Sequence, residues 1–329
     1  MNFRMSTRRI FLRGVGAAAL AVALPSRAQP ASVRIGWMSN TRAADAGLFL
    51  DALRGGLRDL GYVEGRNLVI DARWGDDVRE RGEQMVAALI ASKPNVIVTQ
   101  GPSAQALRKQ TTTIPVVFGF SGDPVEAGMV KSLAHPGGNL TGITFLTLEL
   151  VGKRVQLLKE MLPKAKRLAV VANPQHPGDI AERRVSEHAA QTLGLSVQYF
   201  EAHNGAQLLE ALPAIEKARS DAVMFFPVQF AISLRERIAE WSIRSRIPAI
   251  SGWAQFAEGG NLMTYGPNLL DTYRRLAWFV DRILKGTKPA ELPVELPTRV
   301  ELVVNQKAAK ALGVTVPQSV RLRADRLIE

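Results

Sequence analysis

Residues 114–142 read IPVVFGFSGDPVEAGMVKSLAHPGGNLTG, and this stretch decides how the rest of the sequence is interpreted. It opens with an apolar, β-branched run, which is typical of a strand buried on both faces. Asp123 before Pro124 then predicts the start of a helix that continues to about Leu133. A Pro-Gly-Gly turn and a short strand over 139–145 complete the unit. The polar turn therefore lies at the carboxyl end of a strand, the edge of an open α/β sheet where ligands bind.

Strands and helices alternate outward from this stretch, and the alternation occurs twice. Residues 33–145 alternate between short apolar strands and amphipathic helices, and residues 148–251 do the same, including a helix over 231–245. Such alternation predicts parallel sheets covered by helices on both faces. After a further extended segment the tail departs from it, with a long helix over 268–285, a Pro-rich connector, a strand, a short helix and an irregular end. We therefore predict an α/β fold with two doubly wound parallel-sheet lobes.

The tail also bears on the domain organisation. A chain that returns to its first unit after completing the second would join the two units through several segments. We assign residues 33–143 and 268–288 to lobe I, and residues 144–265 and 300–329 to lobe II, the last segment being the least constrained by pattern. In the first predicted helix, the run Leu53-Arg-Gly-Gly-Leu57 is interpreted as a site of close packing.

The first 28 residues have the pattern of an export signal. Arg8-Arg9-Ile-Phe11-Leu12 precedes eleven apolar residues over 14–24, and a bilayer-spanning helix needs about 20. Ser26-Arg27-Ala28 is a small-x-small cleavage site, and the paired arginines resemble the twin-arginine type of signal. No other segment approaches roughly 18 consecutive apolar residues, so we expect a soluble mature chain, cleaved near Ala28 and retained in a periplasm.

Composition restricts the classes of function. The chain has no cysteine, which excludes disulfides, thiolate metal sites and a cysteine nucleophile. The first 28 residues contribute five of its twelve net positive charges, and the other charges are of mixed sign, so no nucleic-acid partner is expected. The histidines show no metal-ligand spacing, and we expect neither a metal nor a cofactor. Each is interpreted as a surface or loop residue: His135, His176, His188 and His203.

The sequence lacks the common catalytic motifs. The sequence has no G-x-S-x-G at a strand-to-helix turn, no H-E-x-x-H and no phosphate-binding G-x-x-x-x-G-K-[ST]. Asp76 and Asp77 are adjacent and are interpreted as a solvated turn. No nucleophile–base pair is evident, so we do not expect an enzyme.

Polar and aromatic residues at predicted strand ends and on late loops remain as candidate ligand contacts. They are Ser39, Asn40, Gln100, Ser103, Ser121, Asp123, Thr144, Asn173, Gln229, Trp253 and Tyr265. Small hydroxyl residues at helix N-termini suit a carboxylate, through free N–H groups and the helix dipole. Asp123 could pair with an ammonium or simply cap its helix, and Trp253 could stack on a flat solute or pack in the core. These side chains are suited to binding a solute rather than to catalysing a reaction.

Several short runs, spread over residues 33–329, resemble the substrate-binding proteins of ATP-driven import systems, a family with tryptophan- and tyrosine-binding members. They are Leu60-Gly-Tyr-Val-Glu-Gly-Arg-Asn67, Gly122-Asp-Pro-Val125, His135-Pro-Gly-Gly-Asn139, Tyr265-Gly-Pro-Asn268, Ile283-Leu-Lys-Gly286, Leu302-Val-Val-Asn305 and Ala311-Leu-Gly313. The resemblance implies a type I periplasmic-binding-protein fold, in which three crossovers join two lobes around a cleft. It also implies an inner-membrane permease and its ATPase as partners, and it places most of the candidate contacts at strand ends facing the cleft.

The hypothesis at this stage is an exported, monomeric solute-binding receptor of an ABC-type importer. Its solute would be small: an amino acid, an aromatic compound or a carboxylate-bearing compound. Two alternatives stay open. A ligand-sensing module of a signalling system would have the same fold, and an exported α/β enzyme would need a nucleophile–base pair that the sequence does not reveal.

Overall fold

The computed structural model describes residues 32–145 and 148–329. The predicted export signal over residues 1–28 lies outside the described residues. Within those ranges, every helix falls short of the length and apolarity that a bilayer-crossing segment requires.

The first half of the described chain forms a five-stranded parallel sheet with helices on both faces. In chain order its elements are β1 (Val33–Ser39), α1 (Ala43–Asp59), β2 (Leu68–Trp74), α2 (Arg79–Ala91), β3 (Val96–Gln100), α3 (Ser103–Gln110), β4 (Val116–Phe120) and β5 (Leu140–Thr144). The strand order is β2-β1-β3-β4-β5. The parallel register pairs Ser39 with Gln100, so the ends of β1 and β3 lie side by side. We call this sheet with its flanking helices lobe I.

The second half contributes a seven-stranded sheet, and we call this sheet with the helices that pack on it lobe II. In chain order the elements are α4 (Leu148–Met161), β6 (Arg167–Ala172), α5 (Asp179–Thr192), β7 (Ser196–Glu201), α6 (Gly205–Lys217), β8 (Ala222–Phe225), α7 (Gln229–Ser233), α8 (Arg235–Ser245), β9 (Ala249–Ser251), α9 (Ala254–Glu258), β10 (Met263–Pro267), α10 (Leu269–Leu284), β11 (Val300–Asn305), α11 (Gln306–Leu312), α12 (Gln318–Arg323) and β12 (Arg326–Ile328). The strand order is β12-β11-β10-β9-β8-β6-β7, and β10 and β11 are antiparallel. Two predominantly parallel lobes were predicted, and the prediction is confirmed.

Helix α10 returns to lobe I, although β10 before it and β11 after it belong to the sheet of lobe II. It packs along α1 and against β3, β4 and β5. At Gly56 the backbones approach so closely that an added Cβ would collide with the carbonyl oxygen of Arg274 and lie 2.8 Å from the Cβ of Ala277. The interpretation of the glycine run in α1 as close packing is therefore confirmed.

The prediction of a helix after Asp123 is wrong, because the chain forms turns there. The Ala127 amide donates to the Asp123 carbonyl oxygen at 2.9 Å, which is a single helical turn. Gly128 then adopts a left-handed φ of +63°, which ends the turn before a helix can propagate. Helix propensity predicted a longer helix, because the preferences of individual residues do not reveal the left-handed glycine that ends the turn.

Two further differences concern lobe II. The helix predicted over 231–245 is divided into α7 and α8 at Leu234. The end of the chain, predicted as irregular, contains α12 and the edge strand β12, which pairs in parallel with β11. The last strand has only three residues, too few for the alternation of side chains to reveal it.

We expect Gly56→Ala to destabilise the protein by about 1–3 kcal/mol, because its methyl group overpacks the α1–α10 interface. Gly47 lies on the same helix with no atom within 4 Å of an added Cβ, so Gly47→Ala is a matched control. It should stabilise the helix by about 0.5–1 kcal/mol. Urea unfolding of both variants tests the prediction, and equal effects would contradict it.

Candidate functional site

The carboxyl ends of strands from both sheets face one cavity of about 280 Å³. Six of the eleven predicted contacts line it: Asn40, Gln100, Ser121, Asn173, Gln229 and Trp253. Each follows or ends a different strand, as the rule for open α/β sheets predicts. The first three belong to lobe I and the last three to lobe II, so the cavity lies between the two lobes.

On the lobe I wall, Gln100 is held by its neighbour on β1. Its Nε2 donates to Ser39 Oγ at 2.7 Å, and the same oxygen accepts the Thr41 amide at 3.1 Å. The other end of the side chain, Oε1, is buried and has no hydrogen-bond partner among the described residues. Ser39 is fully buried, does not line the cavity and orients Gln100.

On the lobe II wall, Gln229 begins the short helix α7. Its Nε2 is buried, again without a hydrogen-bond partner in the described part of the chain. Asn204 and Gly205, at the start of the 13-residue helix α6, line the same wall. Asn204 caps α6 by accepting the Gln207 amide at 3.0 Å, and the Gln207 side chain accepts the His203 amide at 2.9 Å. The positive end of the helix dipole is thus directed towards the cavity.

Aromatic side chains make up much of the remaining surface. In lobe I, Tyr273 stacks on Phe49 with ring centroids 4.7 Å apart and meets Phe145 edge-on at 5.9 Å. Burial of Tyr273 raises the pKa of its hydroxyl, so it stays protonated and neutral. Trp253 and Phe230 face the cavity from lobe II. Trp253 is also buried in the hydrophobic core, so its packing there is observed, and its stacking on a solute stays a prediction.

Asp77 was predicted to lie in a solvated turn; it lies in an exposed turn and also lines the cavity. Asp76 and Asp77 both adopt positive φ, 53° and 61°, and the Asp77 amide donates to the Asn40 carbonyl oxygen at 2.7 Å. Burial raises the pKa of the Asp77 carboxyl, and Arg42, whose Nε lies 3.5 Å from Oδ2, opposes that shift. Asp77 follows an edge strand, and only this turn conformation brings it to the site.

His176 was interpreted as a surface or loop residue, and it is a loop residue that lines the cavity. Its Nε2 lies 2.9 Å from Ser121 Oγ, and its ring stacks on Phe120 with centroids 6.4 Å apart. Burial lowers the pKa of the imidazole to about 4, so it is neutral at pH 7. The burial of His176 was not predicted, because the residue lies in a polar stretch that is typical of an exposed loop.

Four predicted contacts besides Ser39 lie elsewhere. Ser103 lines a wider outer cleft of about 860 Å³, which shares residues with the cavity. Asp123 Oδ1 accepts the amides of Val125 and Glu126, so its capping role is observed. Thr144 Oγ1 donates to the Gly122 carbonyl oxygen at 2.8 Å. Tyr265 lies on β10 and packs against the core of lobe II.

A cluster of two buried ionisable side chains, Arg154 and Glu182, lies behind the lobe II wall. Arg154 Nε donates to the Tyr265 carbonyl oxygen at 2.8 Å, and a Cβ on Gly252, next to Trp253, would lie 2.7 Å from its Nη2. Glu182 on α5 is 4% exposed. Burial raises the pKa of Glu182 to about 8, with Arg154 opposing, and lowers the pKa of Arg154 to about 10. Among the described residues, no group of three or more His, Asp and Glu side chains is arranged to hold a metal ion.

Comparison with known proteins identifies the family. Residues 47–328 match the family model described as ABC transporter substrate binding protein. The chain belongs to this family. Proteins of the family act outside the cytoplasm, bind small solutes and work with the permease and ATPase of a transporter, and the family is one of binding proteins rather than enzymes.

Individual relatives of this substrate-binding protein agree with that assignment. It is 25% identical to the tyrosine-binding protein of Clostridioides difficile (strain R20291) over 259 residues, 78% of this chain and 74% of that protein. The crystal structure of a conserved domain protein from Vibrio cholerae is 28% identical, with a TM-score of 0.84 over 90% of this chain and 99% of that chain. A Streptococcus pneumonia ABC domain in complex with L-Trp is 24% identical, with a TM-score of 0.84 over 91% and 100%.

The cluster behind the lobe II wall predicts an unusual pH dependence of stability. A carboxyl whose pKa is raised on folding stabilises the folded state fully below about pH 4.5, and that contribution is lost as the pH rises towards about 8. The stability of the wild type relative to Glu182→Gln should therefore fall between pH 5 and pH 8. Urea unfolding across that range measures it.

Glu187→Gln, an exposed change on the same helix, is the matched control and should leave the pH dependence unchanged. A constant difference between wild type and Glu182→Gln at every pH would contradict the assignment.

Proposed function

We propose that this family member is the solute receptor of an ABC-type importer and that it holds an amino-acid-like solute with an aromatic or apolar side chain in the cavity between its lobes. The observation that supports this proposal is a pair of side-chain amide atoms, one on each wall of the cavity, that have no hydrogen-bond partner among the described residues. Gln100 Oε1 is an acceptor on lobe I, and Gln229 Nε2 is a donor on lobe II. Because buried polar atoms in proteins nearly always have partners, both are suited to bonding a solute.

The charged groups near these two atoms favour the same orientation of the solute, with its ammonium group towards lobe I and its carboxylate towards lobe II. Lobe I adds the carboxylate of Asp77, which suits an ammonium group. Lobe II adds the N-terminus of α6, which suits a carboxylate. The aromatic surface of Phe49, Tyr273 and Trp253 suits a flat or apolar side chain between them. The names of the two relatives that bind tyrosine and tryptophan are consistent with this class of solute.

We also propose the finer features that the sequence predicts. A twin-arginine-like signal over residues 1–28 would export the chain, with cleavage near Ala28 and residence in the periplasm as a monomer. An inner-membrane permease and its ATPase would receive the solute. The lobe bounds would be 33–143 with 268–288, and 144–265 with 300–329, so that the two lobes rotate about three crossovers.

The experiment that tests the solute class is a thermal-shift screen of amino acids, aromatic acids and small carboxylates, followed by calorimetry on the solutes that raise the melting temperature. We expect aromatic or apolar amino acids to respond and simple carboxylates to bind more weakly. A response confined to sugars or to compounds without an amino group would overturn the proposal.

Gln100→Ala and Gln229→Ala should each lower the affinity for the responding solute roughly 10- to 100-fold. Each removes a hydrogen bond to a charged group, which contributes about 1.5–3 kcal/mol. Tyr265→Phe is the control, because Tyr265 was predicted at the site but does not line the cavity. Calorimetric titration measures all three, and unchanged affinity in both glutamine variants would rule out the assigned contacts.

The contact between the lobes gives a separate test of closure. A Cβ on Gly122 in lobe I would lie 2.6 Å from the Pro177 carbonyl oxygen in lobe II, so the closed arrangement requires a bare backbone there. We expect Gly122→Ala to oppose closure by about 1–3 kcal/mol, which lowers solute affinity roughly tenfold or more.

Gly138→Ala provides the matched control, because no atom lies within 4 Å of its added Cβ. It should leave the affinity unchanged in the same titration. Equal affinities for the two alanine variants would show that closure does not depend on this contact.

A further inference from the structure

One side-chain hydrogen bond crosses between the lobes at the boundary of the cavity. Ser121 follows β4 of lobe I, and His176 precedes α5 of lobe II, with Ser121 Oγ and His176 Nε2 2.9 Å apart. The next residues add a main-chain bond, because the Asp123 amide donates to the Pro177 carbonyl oxygen at 3.2 Å. We call residues 121–123 and 176–177 the seam.

The seam lies where the cavity meets the outer cleft. Ser121 and His176 belong to the lining of the 280 Å³ cavity and also to the lining of the 860 Å³ outer cleft. Phe120, on which the imidazole stacks, lines the outer cleft only. Separating Ser121 from His176 would therefore widen the connection between the cavity and the outer cleft.

We propose that His176 is a positioning residue for the closed state and that its bond to Ser121 is a latch that favours the neutral imidazole over the imidazolium. The proposal rests on the proposed function, because a latch between lobes matters only if the protein closes on a solute. His176 would act through lobe closure and not by recognising the solute itself.

The surroundings of the ring explain why its charge matters. In the closed arrangement Nε2 is bonded to Ser121, while Nδ1 is buried with no partner among the described residues. A neutral imidazole tolerates this, because its second nitrogen can be a bare acceptor. A protonated imidazole would carry an additional N–H and a positive charge, and its Nδ1–H would have neither an acceptor among the described residues nor contact with solvent.

Other charged groups lie near the seam, and any test must distinguish their effects on closure from the effect of His176. On its own loop and helix these are Asp179, Glu182 and Arg183, and from lobe I comes Asp123. Asp77 and His203 share the cavity lining, and Arg79, Glu83 and Lys109 share the lining of the outer cleft. The lowered pKa of His176 arises from burial.

The sign of the pH effect follows from the two states. In an open protein the imidazole is in solvent, with an ordinary pKa near 6.5, whereas closure lowers the pKa to about 4. Closure is therefore fully favoured above about pH 6.5 and is weakened as the pH falls towards 4. Between pH 7.5 and pH 5.5, the equilibrium constant for closing should fall roughly tenfold.

Because the chain has no cysteine, a pair of spin labels can report closure directly. Arg108→Cys on α3 and Arg184→Cys on α5 place one label on an exposed site of each lobe, outside the linings of the cavity and of the outer cleft. The distance distribution is measured at pH 7.5 and pH 5.5 in the wild-type, His176→Gln and Ser121→Ala backgrounds, without solute and with L-tryptophan. The solute-free arm does not depend on the proposed solute class.

We expect the short-distance population of the wild type to diminish at pH 5.5 and that of His176→Gln to change less than twofold, since a glutamine amide can bond Ser121 but does not titrate. Ser121→Ala should reduce the short-distance population at both pH values. An equal pH response in wild type and His176→Gln, or no short-distance population at pH 7.5 in either arm, would overturn the latch. If no compound in the thermal-shift screen binds, that result would instead count against the proposed function.

Discussion

The contact on which the whole arrangement depends is the packing of α10 on α1. The chain builds the strands of lobe II up to β10, returns to lobe I with one helix and then re-enters the sheet of lobe II as β11. Gly56 permits the approach, because its bare backbone lies against the backbone of α10. Without that approach the two sheets would be joined by fewer segments, and Tyr273, which α10 carries, would not reach the cavity.

The cavity combines two kinds of surface that arise in different ways. Its polar groups come from strand ends, where parallel strands bring successive loops to one edge. Two of its aromatic groups in lobe I come from the interior of helices, since Phe49 lies within α1 and Tyr273 within α10, whereas Phe145 follows β5. The first surface is a consequence of local chain direction, whereas the second requires that two distant helices pack in one register.

That difference explains how much could be predicted from the sequence. The apolar, β-branched strands predicted both lobes, and the strand-end rule predicted Gln100, Ser121 and Gln229 as residues that line the cavity. Phe49 and Tyr273 could not be predicted, because helical periodicity indicates only that they are buried. His176 was missed because a loop residue becomes buried only when another lobe covers it. Ser39 was placed at the correct edge, but its hydroxyl is directed to Gln100.

The polar groups that face the cavity are mostly neutral: two glutamine side chains, three asparagines, a threonine, a serine and the neutral imidazole of His176. Dissolved ions screen buried polar groups far less than they screen charges exposed on the surface. A family member that works outside the cytoplasm is exposed to whatever ionic strength its surroundings impose. Solute binding of the kind proposed above, through buried amides and a helix terminus, would change little between dilute and saline solution.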